Sequence, residues 1–69
     1  MDDSSALLFA FGQKVKHHRE CLGLSQAEFA SRVGLHRTSL AELERGGRNP
    51  RIETIARIAN ALGISLSKL

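Results

Sequence analysis

Glycine recurs at short intervals along the chain and divides it into segments whose apolar residues follow helical spacing. The dividing positions are Gly23, Gly34, the pair Gly46 and Gly47, and Gly63. Strict alternation of apolar and polar residues, which is typical of strands, is almost absent. The only proline is Pro50. The pattern therefore predicts an all-α fold, a compact bundle of four to five short helices.

The first segment predicts a helix from about Ala6 to Leu22. Ser4 or Ser5 is suited to cap its start, and Gly23 suits the left-handed residue that often follows a helix. Its expected inward positions are spaced three, four, three and four residues apart, as on one face of a helix. They are Leu8, Phe11, Val15, His18 and Leu22.

Two short helices follow in close succession. Ser25 and Glu28 form a capping box, which predicts the start of the second helix at this point. The second helix is expected to end at Gly34 and to bury Phe29, Ala30 and Val33. The third helix runs from about Arg37 to Arg45, with Leu40 and Leu43 directed inward, and stops at Gly46 and Gly47.

The last segment predicts a fourth helix from about Ile52 to Leu62, with Gly63 as its C-terminal stop. Its expected buried residues are Ile52, Ile55, Ile58, Ala59 and Leu62. Beyond it, Ile64, Leu66 and Leu69 predict either a fifth helix or a packed tail.

The turn at Gly34 is too tight for helices 2 and 3 to lie antiparallel along their length, so the two helices must cross steeply. That arrangement is a helix-turn-helix, with the motif over about residues 25–45 at the centre of the bundle. The 69 residues are enough for one small domain, of which we expect residues 1–5 to be disordered. A chain of this size buries only about 60% of the surface that its unfolded form exposes.

Cysteine and histidine usage indicates a fold that depends on packing alone. A lone Cys21 cannot form an internal disulfide, and no Cys/His cluster has zinc-finger spacing, so we expect neither a metal nor a cofactor. We expect Cys21 to be inert rather than a redox switch. His18 is predicted to be a packed core histidine with one hydrogen bond, and His17 to face solvent.

Charge and hydropathy indicate a soluble, reduced, cytoplasmic protein. The longest apolar run, residues 6–11, is far too short to span a bilayer, and it follows acidic Asp2 and Asp3 where a signal peptide would be basic. The net charge is +3, and since the first nine residues carry −2, the remainder carries +5. A modest basic excess is weak evidence for an anionic partner.

From Leu24 onward the chain carries a set of residues at fixed spacing: Ser25-Gln26, Phe29-Ala30, Gly34-Leu35, Glu44-Arg45-Gly46, Pro50, Ile58-Ala59 and Ala61-Leu62-Gly63. In this set the chain closely resembles the lambda-repressor-like (Cro/XRE) helix-turn-helix family. The segment Leu35-His36-Arg37-Thr38, with Glu44-Arg45-Gly46 and Arg48-Asn49, is similar to the controller proteins of restriction–modification systems. The resemblance implies double-stranded DNA as partner. It also implies a homodimer on an inverted repeat, with helix 37–45 in the major groove, in a bacterial-type cytoplasmic protein associated with the nucleoid when bound to DNA.

The resemblance also implies roles for individual residues. Arg37 and Thr38 match the base-reading start of the family's recognition helix, and Glu42 lies one turn further along the same face. Gln26 matches a residue that bonds a phosphate. Arg19 and Glu44 match a structural ion pair between helices 1 and 3. The chain departs from the family at His36 and Arg51, where a capping oxygen is usual, and at His18, where an aliphatic residue is usual.

The chemistry of these residues supports base reading at the start of helix 3. The planar guanidinium of Arg37 has paired N–H donors that match guanine O6 and N7. The alternative to a base-reading role is that Arg37 is an ordinary solvated surface arginine. Thr38 and Ser39 can bond a base edge or the helix backbone. Glu42 can accept from a cytosine amino group, but pairing with Arg45 or Arg37 on its own helix is slightly favoured.

Residues at two other places are suited to phosphate. Gln26 follows the cap Ser25, where unpaired backbone N–H groups and the positive end of the helix dipole favour an anion. His36 is more suited to a phosphate than to a base. Beyond the recognition helix, a second grip on the DNA backbone is expected from Arg45, Arg48, Asn49 and Arg51.

The sequence thus favours a sequence-specific, homodimeric DNA-binding transcriptional regulator, with an apolar dimer contact that draws on helix 4 and the tail around Ile64 and Leu66. The alternative is an antitoxin or protein-interaction module in which DNA binding is secondary and residues 6–11 form the partner surface. No catalytic constellation or small-molecule site is evident, which argues against an enzyme. With three Phe and no Trp or Tyr, the chain offers no stacking platform for single-stranded RNA.

Overall fold

The computed structural model describes residues 3–69 and folds them as helices without strands. The chain forms α1 (Asp3–Cys21), α2 (Gln26–Val33), α3 (Arg37–Glu44) and α4 (Ile52–Leu62), followed by a 3₁₀ helix at Leu66–Lys68. Helix α1 packs against α3 and α4, α2 packs against the same two helices, and the 3₁₀ helix packs on α4. The predicted all-α bundle with a central helix-turn-helix is confirmed.

The helix ends follow the predicted signals, with one exception at the start of α1. Ser25 Oγ accepts from Glu28 N, and Ser25 N donates to the Glu28 carboxylate, so the capping box is present. Gly34 and Gly63 end α2 and α4 in the left-handed conformation, at φ +72° and +73°. Helix α1, however, begins three residues earlier than predicted, so Ser4 and Ser5 lie inside it rather than at the N-cap position.

Residues 1–5 were predicted to be disordered, but residues 3–5 are helical. The expectation for Met1 and Asp2 lies outside the described residues.

The core lies where the inward faces of the four helices meet. Val15, Phe29, Leu40 and Ile58 are fully buried, one from each helix. Each contributes about 1.5–3 kcal/mol through removal of its side chain from water. The tail covers one edge of this core, because Ile64 and Leu69 pack against it.

Two residues predicted to be buried are exposed. Leu22 is 51% exposed because α1 ends at Cys21, so the helical spacing does not extend to it. Ile52 is 68% exposed because it is the first residue of α4 and lies outside the cover of the other helices. Leu8, Phe11 and Ile55 are only half-buried.

The predicted core role of His18 is wrong in its detail. The side chain is half-buried, and within the described residues its ring makes an edge contact with His17 at 5.8 Å between centroids rather than a hydrogen bond. His17 is exposed, as predicted, and its Nε2 lies 3.6 Å from the Sγ of exposed Cys21.

Candidate nucleic-acid interface

The start of α3 is an exposed helix tip. His36, the residue before the helix, makes no capping hydrogen bond and is exposed, as are Arg37 and Thr38. The core residues Leu40 and Leu43 hold the opposite face of the same helix against the bundle. Burial of one face therefore fixes the direction in which this tip projects.

Ser39 and Glu42, the other two predicted base readers, are half-buried. Ser39 Oγ accepts a hydrogen bond of 2.7 Å from Arg48 Nη1. Among the described side chains the one ion pair joins Arg19 to Glu44, and Glu42 pairs with neither Arg37 nor Arg45. The pairing that was slightly favoured for Glu42 is therefore wrong.

The loop after α3 is drawn tightly against the end of that helix. Gly46 N donates to Leu43 O at 3.0 Å, and Gly47 N donates to Glu42 O at 2.8 Å. The helix was predicted to run to about Arg45, but it ends at Glu44, and Arg45 is its C-cap residue. The loop presents four exposed polar side chains on the molecular surface: Arg45, Arg48, Asn49 and Arg51.

A polar groove of about 280 Å³ lies between α3 and this loop. Buried Leu43 is part of its apolar lining, and its polar lining comes from Ser39, Arg48, Asn49, Arg51 and Thr54. Thr54 was not foreseen as part of this surface, since its place in the first turn of α4 carries no signal in the sequence. The groove gathers residues predicted for bases with residues predicted for phosphates.

A buried ion pair fixes α3 to α1. Arg19 Nε donates to Glu44 Oε2 at 2.8 Å, and Arg19 Nη2 donates to Glu44 Oε1 at 3.1 Å. The two residues are 7% and 3% exposed. The hydrogen bond to Glu44 raises the pKa of Arg19 above its usual value. Arg19 Nη1 also donates to Leu24 O at 2.7 Å, which ties the pair to the turn before α2.

Gln26 belongs to the same network. Its Nε2 donates to Glu44 Oε1 at 3.1 Å, and the side chain is half-buried. A primary amide carries two N–H donors, so one donor remains after this bond. The capping box uses the N–H of Glu28, which leaves the first two N–H groups of α2 without intrahelical acceptors.

Gly12 was missed by the sequence analysis. A Cβ at this position would meet the carbonyl oxygens of Leu43 and Glu44, the latter at 2.6 Å. The absence of a side chain thus lets α1 lie directly against the C-terminal end of α3. A glycine inside an otherwise helical apolar pattern is the signal that could have found it, because such a residue often marks a close packing contact.

Among the described residues, no three His, Cys, Asp or Glu side chains come together where they could hold a metal ion. None of the described helices combines the length and apolar character needed to cross a bilayer.

An apolar groove of about 520 Å³ lies on another part of the surface, between the first half of α1 and the tail. Leu7, Phe11, Ile55 and Leu69 are among its lining residues. Leu7 is 70% exposed, and Phe9 beside it is 51% exposed. This region includes the segment that the sequence assigned to a protein partner.

Comparisons with known proteins agree with this geometry. The family model HTH_3, described as helix-turn-helix, matches residues 15–69. Control protein C.BamHI of Bacillus amyloliquefaciens is 42% identical over 55 residues, covering 78% of this chain and 68% of the relative. The immunity repressor protein of Bacillus phage phi105 is 38% identical over 58 residues, and there the match spans only 40% of the relative's length.

The crystal structure of the restriction-modification controller protein C.AhdI from Aeromonas hydrophila superposes with a TM-score of 0.90 at 37% sequence identity. The alignment covers 97% of each chain. The chain therefore belongs to the helix-turn-helix family HTH_3, of the Cro/C1 (XRE) type, whose members are DNA-binding transcriptional regulators and not enzymes.

Proposed function

We propose that the protein is a transcriptional regulator that binds an inverted-repeat operator as a homodimer, with α3 in the major groove. The observation that carries this proposal is the exposed tip of α3, where Arg37 and Thr38 project from a helix anchored by Leu40 and Leu43. Similarity to control proteins of restriction–modification systems supports the regulatory role. Such regulators act on DNA in the cytoplasm, which is where we place this one.

Base reading is assigned first to Arg37. A guanidinium at the N-terminal end of a groove-binding helix can donate two parallel hydrogen bonds to guanine. Thr38, also exposed, can place its hydroxyl or methyl group against the neighbouring base pair. Glu42 lies on the same helix without an ionic partner, so its carboxylate remains available to a cytosine amino group.

The DNA backbone is assigned to two groups of residues on either side of α3. At the start of α2, the second Gln26 amide N–H and the unpaired backbone N–H groups can hold one phosphate. After α3, the cationic loop that carries Arg45, Arg48 and Arg51 can hold another, and exposed His36 at the start of α3 is a further candidate. These contacts set the register of the recognition helix and carry no sequence information themselves.

The dimer contact is assigned to the tail. Leu66 is 48% exposed and adjoins Ile64, which is half-buried against the core. A second copy covering Leu66 would remove apolar surface from water. Two half-sites read together give the affinity and specificity that a single domain of this size lacks.

Selection of bound duplexes from a random pool, at near-physiological salt, tests the proposal. We expect enrichment of an inverted repeat whose half-site contains a guanine that depends on Arg37. Enrichment of a single, unrepeated site would overturn the homodimer. No enrichment from protein shown to be folded would overturn sequence-specific binding.

A second function has one observation in its favour. The apolar groove beside α1, together with exposed Leu7 and Phe9, offers a surface for a protein partner, as an antitoxin or interaction module would require. It would be supported by failure of the DNA selection together with loss of a co-purifying partner when Leu7 is changed to Ser.

A further inference from the structure

We propose that Ser39 is a positioning residue that holds Arg48 in place for DNA, rather than a reader of bases. The inference rests on the proposed function and assigns this residue a different task within it. Its basis is the 2.7 Å hydrogen bond from Arg48 Nη1 to Ser39 Oγ, which joins residues nine positions apart.

The location of Ser39 disfavours direct base reading. Arg37 and Thr38 are exposed, whereas Ser39 is half-buried and lines the polar groove against the loop. A serine side chain is short, and its Oγ is already accepting from a guanidinium that lies over it. The hydroxyl is therefore directed toward the loop and the arginine.

The backbone just before Arg48 is held in place, whereas the Arg48 side chain is long and exposed. The two glycine bonds to Leu43 O and Glu42 O hold the start of the loop against α3. The guanidinium is exposed and belongs to a long side chain, which loses considerable rotamer freedom when it is immobilised. Ser39 restricts that freedom before DNA arrives, so less is lost on binding.

The bond to Ser39 leaves Arg48 competent to bind DNA. A guanidinium has five N–H donors, and one of them serves Ser39. The remaining donors can reach a phosphate oxygen at the mouth of the groove while the serine contact persists. The same bond couples the recognition helix to the loop, so that the base-reading and phosphate-binding parts of the surface are positioned together.

A double-mutant cycle on the enriched operator tests this role with Ser39→Ala, Arg48→Ala and the double variant. We expect Ser39→Ala to weaken binding about two- to tenfold without altering base preference, since ordering one such side chain has an effect of this size. In the Arg48→Ala background, the same change should have no further effect. Ser31→Ala, an exposed serine on α2, serves as the matched control and should bind as the unchanged protein does.

The salt dependence separates the two variants further. Arg48→Ala should reduce the slope of log K against log salt by about one per subunit, because a phosphate contact is lost. Ser39→Ala should leave the slope nearly unchanged, because the arginine is still present. In protein without DNA, NMR relaxation of the Arg48 side-chain Nε–H should show greater mobility in Ser39→Ala.

Three results would overturn the inference. If Ser39→Ala weakened binding equally in both backgrounds, or if it changed the preferred base, Ser39 would be a direct reader. Binding by Ser39→Ala at full affinity would show that the contact has no role in recognition. Failure of the unchanged, folded protein to bind any operator would instead overturn the proposed function, and this inference with it.

Discussion

Arg19 and Glu44, 25 residues apart in the chain, form an ion pair with two hydrogen bonds that fixes the C-terminal end of α3 to α1. Gln26 and the Leu24 carbonyl complete the network, so the pair also touches the start of the helix-turn-helix. Within the described residues, no buried side-chain nitrogen or oxygen is left without a partner. The angle at which α3 projects thus depends on a polar contact as well as on the core.

Removal of one member of this pair should be more damaging than removal of both. Breaking a buried ion pair costs about 3–5 kcal/mol, because the remaining charge is left without compensation. A 69-residue domain has a total stability of roughly 3–10 kcal/mol by the usual value per residue. We therefore expect Arg19→Met and Glu44→Leu each to remove about 3–5 kcal/mol, a large part of the free energy of unfolding, as measured by thermal and urea denaturation.

The double variant Arg19→Met/Glu44→Leu should recover most of the lost stability, because no unpaired charge remains and apolar packing replaces the pair. Gln26 would lose its acceptor, but as a half-buried side chain it can bond to water. A cost below about 1 kcal/mol for either single variant would contradict a structural role for the pair.

The second prediction is that Gly12→Ala lowers the stability of the fold, although the same substitution usually raises it in a helix. In an open helical position, Gly→Ala stabilises by about 1 kcal/mol. Here a Cβ would press against the Leu43 and Glu44 carbonyl oxygens, so we expect Gly12→Ala to destabilise by about 1–3 kcal/mol through overpacking. Chemical denaturation monitored by circular dichroism measures this difference.

Gln13→Ala, at the adjacent exposed position of α1, is the matched control and should be close to neutral. An increase in stability for Gly12→Ala would show that α1 and α3 do not approach as closely as the structure indicates. DNA affinity of the variant, measured under conditions where it is folded, should also fall because α3 is displaced.

Local rules predict most of the fold. The capping box at Ser25 and the stops at Gly34 and Gly63 set boundaries that depend on neighbouring residues alone, and these predictions are correct. Leu22 and Ile52 were predicted to be buried but are exposed. Periodicity shows which face of a helix is buried, but it does not show where along that face the neighbouring helices stop covering it.

The sequence pointed to members of the candidate interface but not to their arrangement. The resemblance to the family pointed to Arg37 and Gln26, and the basic residues after α3 pointed to the cationic loop. Their roles toward DNA stay predictions. The bond between Ser39 and Arg48 depends on the course of the loop after Gly47, which no spacing rule describes. The close approach at Gly12 likewise depends on the position of another helix, so the sequence alone shows only an unexplained glycine.

Acid should selectively weaken the cap of α2. The backbone N–H of Ser25, followed by its side chain, holds the pKa of the Glu28 carboxyl below its usual value. A carboxyl with a depressed folded-state pKa stabilises the fold above its unfolded pKa, and this contribution is lost as pH falls through the folded value. We expect Glu28→Gln to be less stable than the unchanged protein at pH 7 and equally stable at pH 2, by urea denaturation.

Glu53→Gln is the control for this experiment, because Glu53 also lies in the first turn of a helix, but the N-cap residue of that helix, Arg51, makes no side-chain capping hydrogen bond. It removes a charge from the same dipole environment and should show a smaller change between the two pH values. Equal pH dependence in both variants would mean that the Ser25 bonds contribute nothing beyond the helix dipole.

Arg37→Ala and Arg48→Ala should separate sequence reading from backbone binding. Loss of a bidentate guanine contact should reduce discrimination at one base pair of each half-site by about 1–3 kcal/mol and leave the other positions unchanged. Loss of the loop arginine should weaken all duplexes alike and flatten the salt dependence, because counterion release falls with each phosphate contact removed. Competition binding of the operator and its single-base variants, repeated at several salt concentrations, measures both effects. If both variants lost affinity with no change in base preference, Arg37 would be a backbone contact, and sequence reading would have to lie with Thr38 or Glu42.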